Sequence, residues 1–145
     1  MSLKIESSSN SEKIISKIKN GDFTDIFENF IQIENNKITI HYIYFKHFAS
    51  NSTYDFLTGL ITNKIDPIFN QYQTFIVHFN IKTFSIVELD KHKTYIYSVS
   101  NYFKERYPNK LEKCYIYNTP FLINQLYNIV SSFIDKDTLE KIEFI

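Results

Sequence analysis

The chain has 145 residues, 43% of them apolar, and its 16 Lys plus Arg balance its 16 Asp plus Glu. That length suits one domain, and such a chain buries on the order of 70% of its unfolded surface, enough for a core without staples. Zero net charge excludes a typical nucleic-acid binder, whose affinity comes mainly from neutralising phosphates.

In chain order, Ser7-Ser8-Ser9-Asn10-Ser11 reads as a polar lead-in. Ile14, Ile15 and Ile18 recur at helical spacing until Asn20-Gly21, and Asp22 or Thr24 can cap a second short helix carrying Ile26, Phe27 and Phe30. Thr39 to Phe45 is β-branched and aromatic, which predicts a strand. Ser52 or Thr53 starts a helix holding Phe56, Leu57, Leu60, Ile61 and Ile65, and Asp66-Pro67 ends or kinks it. Thr74 to Ile81 is nearly all apolar, a second strand of the kind covered on both faces.

Asp90 can cap a third long helix with Tyr95, Ile96, Val99, Tyr102 and Phe103 on one face, closed by Tyr107-Pro108. Lys113 to Asn118 is a third strand. Thr119-Pro120 is a capping residue followed by proline, a good start for a helix buried through Leu122, Leu126, Ile129, Val130 and Phe133. Asp135 opens a last turn and Ile142 to Ile145 a final strand. Strands alternating with helices predict an α/β fold with a mostly parallel sheet flanked by helices.

Little of the sequence supports catalysis. Two glycines, Gly21 and Gly59, cannot make a dinucleotide fingerprint, a P-loop or a nucleophile elbow. The single Cys114 excludes an internal disulfide and a cysteine-rich zinc site. His41 and His78 could sit on neighbouring strands, yet neither has a carboxylate at ligand spacing, so half-buried polar histidines fit better than a metal pair. Asp135-x-Asp137 with Glu140 lacks the glycine and length of a calcium loop and reads as a helix cap. No stretch supplies a nucleophile, a base and an oxyanion site together. The protein is therefore expected not to be an enzyme, and to need no metal or cofactor. Met1 to Glu6 has no secretory character and no run is long enough to span a membrane, so a cytoplasmic setting is expected. The oddity is aromatic: 14 Phe and 11 Tyr make 17% of the chain, enough to line an amphipathic cavity as well as fill a core.

The second half carries a resemblance. Tyr107-Pro108-Asn109-Lys110-Leu111, then Tyr115-Ile116-Tyr117-Asn118-Thr119-Pro120, then Phe133-Ile134-Asp135 and Thr138-Leu139-Glu140-Lys141-Ile142 resemble the CRAL-TRIO lipid-binding family. The spacing between the pieces is kept, and Phe75 to Ser85 looks like that family's central strand and following loop. The resemblance covers residues 37–145, leaving residues 1–36 as a lead-in with short helices. It implies a domain that binds, and in some members transfers, a phospholipid or other lipophilic small molecule collected at a membrane surface. Within the phosphatidylinositol-transfer branch it implies head-group contacts at Asn109, Lys110, Thr138 and Lys141. Asn109 replaces the family's glutamate, and Lys110 its arginine, whose bidentate fork a lysine lacks. The hydrophobic pocket it implies is bordered by Phe84, Ser85, Tyr117, Ile123 and Tyr127.

This member reads as minimal or divergent, with the family's gate region, which would follow Ile145, expected to be missing. A substitute cover is then expected from Glu12 to Phe30, with a homodimer or a protein partner as the alternatives. A divergent branch of the family that docks other proteins gives the competing expectation, a protein-interaction module without a lipid pocket.

Overall fold

The computed structural model describes residues 24–118, 123–132 and 134–145. The helix expected over Ile14 to Ile18, the Thr119-Pro120 start and Phe133 lie outside them.

Helix α1 (Thr24–Phe30) runs directly into strand β1 (Ile31–Glu34), which turns at Asn35-Asn36 into β2 (Lys37–His41). Asn35 adopts φ 57°, a left-handed conformation that asparagine tolerates better than most side chains. The two strands pair antiparallel, with Ile31 opposite Ile40 and Ile33 opposite Ile38. From Tyr42 the backbone becomes helical as α2 (Tyr42–Phe48). The strand expected over Thr39 to Phe45 therefore ends at His41. The reason is spacing: Ile38 and Ile40 reach the core at period two, whereas Tyr42 and Phe45 reach it three residues apart, their rings 5.8 Å from each other.

Helix α3 (Tyr54–Ile65) buries Leu57, Ile61 and Ile65, and Pro67 turns its end into a 3₁₀ segment over Asp66–Asn70. Strand β3 (Phe75–Asn80) leads into α4 (Ile86–Arg106), then β4 (Leu111–Tyr117), α5 (Ile123–Ser131), α6 (Lys136–Glu140) and β5 (Ile142–Phe144). Helix α4 starts four residues before Asp90. Its cap is Ser85, whose hydroxyl oxygen accepts from the Glu88 N–H at 3.2 Å and donates to that side chain's Oε2 at 3.2 Å. The cap at Asp135 falls where expected: its carboxylate accepts from the Thr138 N–H at 3.1 Å and the Thr138 hydroxyl at 2.7 Å.

The five strands lie in sequence order, β1 antiparallel and β2 to β5 parallel. Parallel neighbours in sequence order, joined by right-handed crossovers, put every connecting helix on the same face. Registers identify that face. Ile38, Val77, Cys114 and Ile142 form one row across the sheet, and Ile40, Phe79, Ile116 and Phe144 the next. Against them pack Leu57, Ile61 and Ile65 of α3, Phe103 of α4, and Phe30 and Ile31, which are each 1% exposed. A second group, Tyr42, Ile81 and Leu89, continues this layer toward the strands' C-terminal ends with Phe84 and Ile96. The opposite face carries Thr39, His41, His78, Asn80, Tyr115 and Tyr117.

Candidate functional site

A cavity of about 460 Å³ lies between the sheet and its helices. Its floor is the row from Ile38 to Phe144, its long wall is α4 from Leu89 to Lys104, and Val130 and Ile134 border it from the segment between β4 and β5. Among the described residues of that segment, Val130 and Ile134 close part of the cavity's side opposite the sheet. The volume lies in the 300–1,000 Å³ range of sites for one small molecule, and the walls are overwhelmingly apolar and aromatic.

The polar groups gather mainly at two places, with Ser100 of α4 between them. One is the end where the strands begin: Asn109, Asp135, Asp137, Thr138, Lys141 and Lys104 all border the cavity there. Three of the four expected head-group residues thus share this end. The fourth, Lys110, is directed to the Phe69 ring, its ammonium 5.7 Å from the centroid. Asn109 sits at φ 59° in the turn before β4. Thr138 is committed, because its hydroxyl donates to Asp135, and a phosphate would have to compete for that proton. Lys104 Nζ lies 3.5 Å from Asp135 Oδ1, an ion pair that ties the end of α4 to the start of α6 across the mouth.

Hydrogen bonding from Thr138, reinforced by Lys104, holds the Asp135 carboxyl below its ordinary 3.8. A carboxyl depressed on folding contributes stability that is complete above 3.8 and lost as pH falls through the folded-state value. Asp135→Ala is accordingly expected to cost about 1 kcal/mol at neutral pH, the usual worth of an N-cap. The gap from wild type should narrow below pH 3.8 in thermal melts, and a gap indifferent to pH would contradict this.

The second polar place is His92, 2% exposed and part of the cavity wall. Burial lowers its pKa, aided by Lys91, so the ring is neutral at pH 7. The Tyr54 hydroxyl lies 2.6 Å from Nδ1, and Tyr54 stacks on Tyr95 at 4.1 Å between centroids. The hydroxyls of the two other tyrosines near this end are engaged elsewhere, Tyr42 donating to Glu88 Oε1 at 2.6 Å and Tyr95 meeting the Thr58 hydroxyl at 2.9 Å. Cys114 faces the cavity with its thiol pushed up to about 12 by burial, too high for a nucleophile.

Of the expected pocket residues, Phe84 borders the cavity. Ser85 is spent on capping α4. Tyr117 falls on the sheet's other face, where its hydroxyl pairs with His78 Nδ1, because it is one residue out of phase with Ile116. Tyr127 is half-exposed and packs edge-on against Phe144. Ile123 begins α5, its side chain outside the described residues. On the far face His41 lies between Gln32 at 3.3 Å and Asn80 at 3.4 Å. No cluster of metal-ligating side chains occurs among the described residues. Nor is any helix among them long and apolar enough to cross a membrane.

A mostly parallel sheet with its crossover helices on one face and an apolar cavity between them defines an α/β domain with one internal binding space. The CRAL/TRIO domain model matches residues 23–145, and the chain belongs to that family, one of lipid-binding and lipid-transfer proteins. No curated protein sequence matches significantly. Among solved structures, "Crystal structure of Sfh5" is similar in fold, with a TM-score of 0.68 at 16% identity. The alignment covers 81% of this chain and 48% of that one, so the chain spans about half of that structure's length.

Proposed function

We propose that this protein binds one lipophilic molecule in the cavity under α4 and carries it without chemical change, loading and releasing it at a membrane surface. The observation that carries this reading is the cavity itself, about 460 Å³ and walled by apolar and aromatic side chains of the sheet and of α4.

The mouth supports a weakly charged head group over a phosphoinositide. Two carboxylates, Asp135 and Asp137, face the two lysines there, and the proton of Thr138 is already used. Lys141 is the cation best placed to meet an anionic head. Organic extraction of the purified protein followed by mass spectrometry tests the reading directly: a stoichiometric co-purified lipid is expected, and an empty protein would count against it. Lys141→Ala should weaken binding to anionic liposomes by about 1 kcal/mol, roughly fivefold, if the contact is charge-assisted. Equal binding by variant and wild type would remove Lys141 from the site.

A protein-docking role is the second reading, favoured by the sheet's other face. There Tyr115, Tyr117, His78 and His41 are only half-buried, and among the described residues the crossover helices lie on the other face. A partner protein or a second copy of the chain would sit on that face and leave the cavity free.

A further inference from the structure

Glu88, His92 and Tyr95 follow one another at spacings of four and three along one face of α4, and each meets a hydroxyl from a neighbouring helix. Tyr42 of α2 donates to Glu88 Oε1 at 2.6 Å, and Tyr54 of α3 lies 2.6 Å from His92 Nδ1. Thr58, one turn further along α3, meets the Tyr95 hydroxyl at 2.9 Å. A polar seam thus joins α4 to α2 and α3. In its middle stands His92, 2% exposed, the member of the seam whose ordinary titration falls near neutral pH.

The seam suits a neutral ring. A phenol is a better donor than an imidazole N–H, so Tyr54 donates to Nδ1 and the ring's one proton sits on Nε2. A second proton has to enter at Nδ1, where it reverses that bond and leaves a cation in the wall. The surrounding groups do not answer its charge. On α4, Glu88 already accepts from Tyr42 and Ser85 and pairs with Lys46 at 3.7 Å, while Lys91 repels a cation. Helix α2 brings Phe45, edge-on at 5.1 Å, with Lys46 and with His47, whose buried Nε2 has no partner among the described residues. Helix α3 brings Tyr54, while its exposed Asp55 bears on Tyr95. The sheet brings apolar side chains and the Cys114 thiol, uncharged because burial pushes it up to about 12. The charges of the mouth stand about 18 Å further along α4, where Lys104 pairs with Asp135. Burial, aided by Lys91, accordingly lowers the His92 pKa.

We propose that this seam is a proton-operated latch: a neutral His92 holds α4 closed over the cavity, and a proton on His92 parts α4 from α2 and α3. The inference rests on the carrier reading above and gives it a trigger, since an anionic membrane surface at about −30 mV concentrates protons about threefold. The sign follows from the two states. A ring freed into water titrates at the ordinary 6.5 and the closed ring below it, so the closed form is fully held above 6.5 and loses ground as pH falls from there. Between pH 7.5 and 5.5 the gain in opening reaches roughly tenfold.

The test is hydrogen exchange on the delipidated full chain at pH 7.5 and 5.5, corrected for the intrinsic exchange rate at each pH. In wild type the amides of Leu89 to Ile96 should open roughly tenfold more often at pH 5.5, while those of Ile76 to Phe79 in β3 keep their protection. His92→Gln, whose amide oxygen can accept from Tyr54 but takes no proton, should abolish that acceleration, and His47→Gln should retain it. Tyr54→Phe should raise exchange in α4 already at pH 7.5 and leave the pH dependence in place. The contrast between α4 and β3 is read in wild type and stands whether or not a variant folds. Equal acceleration of both, no acceleration of either, or an acceleration that survives in His92→Gln would overturn the latch. The carrier reading would remain, because lipid extraction decides it separately.

Discussion

Combining Val99→Phe with Cys114→Phe is expected to abolish lipid binding while leaving the protein as stable as wild type or more so. Val99 projects from α4 and Cys114 from β4, so the two new rings enter the cavity from facing walls. In a filled core, extra methylene and ring volume forces side chains off their rotamers and costs about 1–3 kcal/mol for each site. In a cavity of about 460 Å³ the added rings have room and bury new apolar surface, so the cost disappears or changes sign. The pair of measurements thus separates two situations that look alike on paper. Lost binding with an unchanged melting temperature shows a ligand cavity, whereas a large drop in melting temperature shows that the space was never free. Retained binding with retained stability would move the ligand elsewhere, the sheet's opposite face being the first place to look.

The parallel order of the strands was legible because each strand is short, apolar and separated by a helical pattern. Its failures have particular causes. The turn at Asn35-Asn36 is a two-residue hairpin between alternating segments, and Ile31 to Glu34 was a readable strand once that turn was noticed. Ser85 and Glu88, three residues apart, are a capping signature, so the true start of α4 was also in the sequence. Tyr42 to Phe48 was harder, because aromatic residues suit a strand locally and only the packing of Tyr42 and Phe45 against two different core groups makes them helical. The mouth of the cavity was visible through local motifs, since Asn109, Thr138 and Lys141 lie next to strand starts that the motifs define. The interior was not. Whether Tyr117 or Ile116 faces the helices is a question of strand phase, which a one-residue shift reverses. His92 stood out no more than the other histidines, because the tyrosine that holds it lies on another helix, 38 residues away.

Phe30→Ala should destabilise the protein by about 3–5 kcal/mol, the range for removing a buried aromatic ring. Total stabilities of domains are about 5–15 kcal/mol, so this one change consumes a large share. Phe30 is 1% exposed, stacks near Phe45 at 6.3 Å and borders the same cavity as α4. Removing residues 1–34 should be worse, because it also takes away Ile31 and the whole of β1. Strand β2 would become an open edge, with Ile38, 0% exposed in the intact protein, losing its Ile33 neighbour. An exposed apolar edge is a template for pairing with other chains, so the truncated protein should aggregate or fail to fold. Glu34→Ala, at an exposed position on the same strand, should stay within about 0.5 kcal/mol of wild type and serves as the control. Denaturant titration gives the energies and size-exclusion chromatography the state of assembly. A soluble, cooperatively folded monomer lacking residues 1–34 would show that helix α1 and strand β1 only decorate a domain that folds from β2 onward. The buried pair Phe30 and Ile31 argues the reverse: this segment is a wall of the core, and the cavity depends on it.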